Sequence, residues 1–303
     1  MNSPAPQDPR AGLLQPQVLA GLANLELIAR AVVEGALVGL HRSPLFGFSQ
    51  EFAEYRPYTQ GDDLRFVDWN VYARTERTYI KRFLGETNSH LIILVDASAS
   101  MAFGSVQPKK FRYAQMLAAS LAYIASRQHD AVGLIIFNDQ VFSHRAPSGR
   151  SGHIHSILHA IDQARPSSTT NIKSPFERFR EHSARRGMVA VISDFYCDPA
   201  QMIESVRPLA FQGQDVALFQ ILDPQELRPQ LKEATVFEDM ETGQSVEVSP
   251  EFLLQRYPER MQAHIRAIKD AAAGVGADHV LLDTTVPLDQ PLRNYLLFRE
   301  RRR

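Results

Sequence analysis

Leu91-Ile92-Ile93-Leu94-Val95 runs directly into Asp96-Ala97-Ser98-Ala99-Ser100. A short, wholly apolar run is what a strand needs when it is buried on both faces in the middle of a parallel sheet. The residues that follow are an acid and two hydroxyls spaced by two. In an extended loop that spacing points their side chains the same way. A central strand with Asp96, Ser98 and Ser100 at its carboxyl end therefore anchors everything else.

Downstream the chain alternates strands and helices. Lys109–Gln128 has helical spacing, with Phe111, Met116, Leu117, Leu121 and Ile124 as its apolar members. Ala131–Asn138 predicts a second buried strand. Asn138-Asp139 predicts a turn into an adjacent strand, Gln140–Ala146. Gly152–Arg165, Pro175–Arg186 and Pro199–Gln212 predict helices, and Met188–Ser193, Val216–Leu222 and His279–Leu282 predict strands. Glu238–Val248 has a hairpin pattern turning at Glu241-Thr242-Gly243. Pro250–Ala273 predicts a helix that Pro258 divides or kinks, and Pro291–Arg303 a closing helix. This order predicts an α/β fold: a doubly wound, mostly parallel sheet covered on both faces. In such sheets the ligand site lies beyond the carboxyl ends of the strands.

Upstream, residues 1–15 read as a flexible arm. Residues 16–90 read as an N-terminal extension carrying a helix and a strand, and residues 91–303 as the sheet domain. Val18, Leu22, Leu25, Ile28, Val32, Val33 and Leu37 give residues 16–40 a helical pattern, and Tyr79–Phe83 alternates as a strand. Lys and Arg number 33 against 34 Asp and Glu, which argues against a dedicated nucleic-acid binder, since such a protein carries a basic excess. The single cysteine, Cys197, excludes an internal disulfide and a four-cysteine zinc site. The start of the chain lacks the pattern of a secretory signal, and no apolar stretch reaches the roughly 20 residues of a membrane span. The expectation is a soluble, cytoplasmic protein.

Asp96, Ser98 and Ser100 offer only oxygen, which suits a hard cation such as Mg²⁺. One loop cannot complete an octahedron, so further oxygens must come from neighbouring strand ends. Thr169-Thr170-Asn171 and Asp194, which follows the strand Met188–Ser193, stand in such places. Together the segments would supply two carboxylates, enough to offset a divalent ion. Asp96-x-Ser98-x-Ser100, Thr170-Asn171 and the post-strand Asp194 resemble the metal-ion-dependent adhesion site of von Willebrand factor A domains. The resemblance implies one divalent ion, Mg²⁺ or Mn²⁺, held by Asp96, Ser98, Ser100, Thr170 and Asp194, with one position open to a partner's acidic residue. Thr169 beside Thr170 leaves the choice of threonine open.

Residues 41–90 carry His41-Arg42-Ser43, Glu51-Phe52-x-Glu54-Tyr55-Arg56-x-Tyr58, Gly61-Asp62-Asp63-x-Arg65, Asp68-Trp69 and Ala73-Arg74. These resemble the bacterial domain-of-unknown-function family fifty-eight, whose members place such a motif just before a von Willebrand A-like sheet. That resemblance implies a partner, a MoxR-type AAA+ ATPase assisted by family members in assembling or maturing another complex. Read by charge alone, Arg56, Arg65 and Arg74 either pair with Asp62, Asp63 and Asp68 to hold a loop to the sheet or bind a partner directly.

Competing readings are plainer. Asp-x-Ser-x-Ser also caps helices. His155 and His159 share a helix face, but no Cys or acid stands at a helpful spacing, and a solvated face accounts for them. Cys197 reads as a packed small residue. Gly274-Val275-Gly276 follows a helix, so it fails as a phosphate loop. A Mg²⁺-dependent phosphatase would use the same strand-end aspartates. No His, Lys or Cys stands immediately beside Asp96, Ser98, Thr170 or Asp194 in sequence, so the expectation is binding without turnover, not an enzyme.

Overall fold

The structure, a computed structural model, describes residues 14–22, 24–37, 52–59, 67–83, 90–171, 175–176, 186–230, 235–241, 243–249 and 251–302. Its centre is β3 (His90–Asp96), which pairs in parallel with β4 (Ala131–Phe137) on one side and β6 (Gly187–Ser193) on the other. β7 (Asp215–Leu222) and β10 (Asp278–Asp283) extend the β6 side in parallel, and β5 (Val141–Ser148) closes the β4 side antiparallel. The six-stranded order is β10-β7-β6-β3-β4-β5. The chain therefore winds one way from β3 to β5, then returns across β3 to lay down β6, β7 and β10. The reversal between β3 and β6 is a topological switch point, where the two adjoining loops part and leave a crevice.

Alternation along β3 feeds two cores. Leu91, Ile93 and Val95 face α4 (Lys110–Arg127) and α5 (His153–Gln163), while Ile92 and Leu94 face α6 (Pro199–Phe211). The predicted helix over residues 16–40 is two helices, α1 (Pro16–Ala20) and α2 (Leu25–Leu37). The break falls at Asn24, whose Oδ1 accepts from the backbone N–H groups of Glu26 (2.9 Å) and Leu27 (3.2 Å) and so caps α2. Helix α2 packs on α4 and on the closing helix α9 (Asp289–Arg302). Its Ile28, Val32 and Val33 lie in the same core as Leu91 and Ile93.

Further elements complete the chain. β1 (Phe52–Pro57) pairs antiparallel with β2 (Tyr79–Phe83), and α3 (Trp69–Thr75) lies between them in sequence. The short α7 (Pro224–Leu227) follows β7. β8 (Thr235–Glu238) and β9 (Ser245–Val248) form the expected hairpin. The expected kink or division at Pro258 takes the form of a π-helical turn at Phe252–Arg256 that runs straight into α8 (Tyr257–Gly274), with Pro258 the second residue of α8. Of the expected helix Pro175–Arg186, residues 177–185 lie outside the described residues. Gly276 sits in the left-handed region (φ 77°) in the turn that ends α8, and Gly274–Gly276 is a helix end.

Candidate metal centre

The Asp96 loop leaves the end of β3 at the switch point. Asp96 is 1% exposed and Ser98 is fully buried. Asp96 Oδ1 accepts from the Ser98 N–H (2.9 Å), and Oδ2 accepts from the Ser193 hydroxyl (2.6 Å) at the end of β6. Ser98 and Ser100 place their hydroxyl oxygens 3.1 Å apart. The loop carrying Thr170 is stitched to this one: Ala99 N donates to Ser168 O and Ser167 N to Ala97 O, both at 2.8 Å. Thr170 is half-buried and Thr169 exposed. Asp194 is 1% exposed; its Oδ1 accepts from Tyr196 N (3.3 Å), and Gln220 of β7 donates to its backbone carbonyl (3.0 Å). The strand ends thus collect Asp96, Ser98, Ser100 and Asp194, with the Thr170 loop laid against them.

Burial, and next the Asp194 carboxylate, push the Asp96 carboxyl up to about 7, against the hydrogen bonds from Ser193 and Ser98 that favour its anion. Two buried acids near one another call for positive charge. Part of it comes from a residue that sequence reading passed over. Lys110, the first residue of α4 and fully buried, donates from Nζ to Asp194 Oδ2 (2.8 Å) and to Glu226 Oε1 (2.7 Å). Burial depresses the ammonium, but Asp194 and Glu226 together outweigh it and hold its pKa above the ordinary lysine value. Its Nζ also stands 5.0 Å from the centre of the Tyr196 ring. No lysine adjoins these residues in sequence, and the fold brings Lys110 to Asp194 from 84 residues away.

Local structure explains how Lys110 gets there. The loop Phe103–Lys109 doubles back so that Lys110 N donates to Phe103 O (3.1 Å). Gly104 permits it, since an added Cβ would meet the Lys109 Cα at 2.7 Å. Glu226 is fixed by a capping box on α7, where its Oε2 accepts from Asp223 N (2.8 Å). One signal for Lys110 was present in the sequence. Lys109-Lys110 opens a helix with no acid in its first turn, against the preference of the helix dipole. A cation in that position needs compensating carboxylates from elsewhere.

The donor set fits a hard cation. Mg²⁺ holds oxygens at about 2.0–2.1 Å in an octahedron, so neighbouring ligands lie about 2.8–3.0 Å apart. The 3.1 Å between the Ser98 and Ser100 oxygens is close to that edge. The Lys110 ammonium pairs with Asp194 and Glu226, while the buried Asp96 carboxyl, pushed up to about 7, is a group whose anion a divalent ion would favour. Among the described residues no three His, Cys, Asp or Glu side chains group to hold a metal unaided, so a cation here would rest on hydroxyls as well as acids.

The other candidates have plainer surroundings. His155 faces Glu26 at 3.4 Å on an exposed surface. Burial, then Asp194, Asp96 and Asp198, push the Cys197 thiol up to about 12, so it is no thiolate nucleophile near neutral pH. Of the charged motif, Asp62, Asp63 and Arg65 lie outside the described residues. Asp68 is buried and accepts from the Tyr55 hydroxyl (2.9 Å) and from Val71 N (3.2 Å), which caps α3. Arg56 donates to Thr59 Oγ1 (2.8 Å), and Arg74 is exposed.

A doubly wound, mostly parallel sheet covered by helices makes this an α/β domain with a von Willebrand A-like fold. The chain belongs to the family described as "Protein of unknown function DUF58", whose model matches residues 54–267. It is 29% identical over 281 residues to the uncharacterised protein Rv1480 of Mycobacterium tuberculosis, covering 91% of this chain and 87% of that one. Mb1516 of Mycobacterium bovis matches to the same extent. Among solved structures it is similar to the conserved hypothetical protein BatB from Bacteroides thetaiotaomicron (TM-score 0.50, 18% identity, 71% of this chain and 100% of that one). It is also similar to an aerotolerance-related membrane protein from Bacteroides fragilis (TM-score 0.50, 15% identity, 69% and 99%). Both likenesses concern the fold. Among the described residues no helix is long and apolar enough to cross a membrane.

Proposed function

We propose that this protein is a metal-dependent protein-binding adaptor. Asp96, Ser98, Ser100, Thr170 and Asp194 would hold one Mg²⁺ or Mn²⁺, directly or through water. The bound ion would supply an electrophilic position for a partner's Asp or Glu, a charge-assisted contact in a partly desolvated crevice. The partner is a MoxR-type AAA+ ATPase, served during assembly or maturation of another complex, in the cytoplasm. The observation that carries the reading is the meeting of two buried aspartates and two adjacent serine hydroxyls at the switch point. Lys110 favours binding over turnover. Both described hydrogen bonds of its Nζ go to carboxylates, which hold its pKa above the ordinary lysine value, so it is poorly suited to act as a base.

The test uses one preparation of the protein and purified ATPase. Affinity should fall at least tenfold with chelator or with Ser98→Ala, and hydrolysis of phosphate esters should stay at background with Mg²⁺ or Mn²⁺. Chelator-insensitive binding removes the role assigned to the site. Metal-dependent turnover that disappears in Asp96→Ala would instead establish a Mg²⁺-dependent phosphatase or related hydrolase.

A further inference from the structure

The β8–β9 hairpin has little core of its own, and Val236 and Val246 are exposed. Its turn is tied to the Thr170 loop, where Glu241 accepts from the Thr170 N–H (3.1 Å) and hydroxyl (3.0 Å). Its strands pair Thr235 with Val248 and Phe237 with Val246, which sets Phe237 and Val248 on one face. Those two side chains, Tyr196 from the loop after β6 and the start of α8 line a cavity of about 380 Å³.

The cavity wall is aromatic. Tyr196 and Phe237 are large rings left 41% and 39% exposed, and both look onto this space. Burial, and then Glu226, push the Tyr196 hydroxyl above its ordinary range, so its polar end is held inside the protein while its ring stays open. Leu253 and Met261, both buried, add aliphatic lining. Phe252 and Leu253 are presented by the π-helical turn Phe252–Arg256. Such turns are rare and concentrate at functional sites.

One guanidinium faces this apolar wall. Arg260 lines the cavity with its guanidinium carbon 5.5 Å from the centre of the Phe252 ring. It is exposed, and among the described residues it has no ion pair. No acid is among the lining residues, so nothing there competes for it. His264 also lines the space, but its Nε2 already shares a hydrogen bond with Phe195 O (3.0 Å). An aromatic, mostly apolar cavity with a few placed polar groups is the general form of a small-molecule site, and its size falls within their usual range of about 300–1,000 Å³. The guanidinium selects the head group, since a carboxylate meets it in a charge-assisted fork.

We infer that this cavity binds a small apolar carboxylic acid, its chain or ring among Tyr196, Phe237, Phe252 and Leu253 and its carboxylate on Arg260. A polypeptide terminus is less well served, because its peptide groups would need partners that these side chains do not offer. The inference stands independently of the metal reading.

Octanoate and 1-octanol, which share a chain and differ in head group, are titrated into the full chain by calorimetry. The wild type should bind octanoate at one saturable site, at least tenfold more tightly than octanol. Arg260→Gln, a change on the exposed side of α8, should weaken octanoate at least tenfold and leave octanol unchanged. Val248→Trp, which fills the cavity from the hairpin, should weaken both. Absence of saturable octanoate binding, or undiminished binding by Arg260→Gln, would overturn the inference. A short peptide ending in leucine that binds more tightly than octanoate, and loses affinity when its terminus is amidated, would overturn the small-molecule assignment in favour of a polypeptide terminus.

Discussion

Lys110→Met tests the charge balance of the site without touching a proposed metal ligand. Methionine fills nearly the same volume as the lysine stem, so the change removes charge rather than packing. In the wild type Nζ lies 2.8 Å from Asp194 and 2.7 Å from Glu226, and the three side chains are 0%, 1% and 13% exposed. At an effective dielectric of about 20, each contact is worth about 6 kcal/mol of gross Coulomb energy. Most of that only offsets desolvation, and measured losses on breaking a buried pair are about 3–5 kcal/mol. For a domain of this size roughly 2–4 °C of melting temperature goes with each kcal/mol, so the variant should melt roughly 10 °C lower in chelator at pH 7.5. The penalty comes from stranded carboxylates, so Lys110→Met with Glu226→Gln should recover part of it, and adding Asp194→Asn most of the rest. Chemical denaturation of the wild type, Lys110→Met, Glu226→Gln and their double variant gives the coupling energy of that pair. A loss below about 1 kcal/mol for Lys110→Met, the scale of exposed pairs, would refute the claim that this ammonium is a buried counter-ion.

Further outcomes follow from the same geometry. Saturating Mg²⁺ or Mn²⁺ should raise the melting temperature of the wild type and not of Asp96→Asn, checked by thermal denaturation against a chelated control. The Asp96 carboxyl is pushed up to about 7 from 3.8, so the folded state holds its proton more tightly than the unfolded one. Its stabilising contribution is full below about pH 4 and lost as pH rises through 7. The loss is on the order of 4 kcal/mol at 1.36 kcal/mol per pH unit, and Asp96→Asn should flatten that slope in chelator. His279, which shares a hydrogen bond of 3.0 Å with Gln220, is pushed down to about 4 by burial and then by Lys269. Its contribution is present above about pH 6.5 and lost as pH falls through 4. Denaturation profiles of His279→Gln should lack that acid limb relative to the wild type. Ile28→Ala, on the face of α2 buried against α4, should cost about 2–5 kcal/mol by the same assay; a cost below about 1 would show that α2 is not part of the sheet's core.

The sheet was legible from the sequence because its strands are buried on both faces. Runs such as Leu91–Val95 and Met188–Ser193 admit few other readings, and helical spacing filled the intervals between them. Asp96, Ser98, Ser100 and Asp194 were legible for a related reason: residues just past a parallel strand lie at the sheet's open edge whatever the loop conformation. The local boundary at Asn24 was harder to see, since apolar spacing continues across it and the break is made by a side chain bonding to its own backbone. Glu241 read as a hairpin turn and Lys110 as an ordinary helix start, because neither has a chemical partner nearby in the chain. Their partners lie 71, 84 and 116 residues away. Local patterns of apolar and polar residues settle which elements form and which ends face solvent, since burial acts on each element separately. Which charge meets which across the crevice depends on how loops from the ends of β3, β6 and β7, the Thr170 loop and a hairpin pack together, and only the tertiary structure decides that.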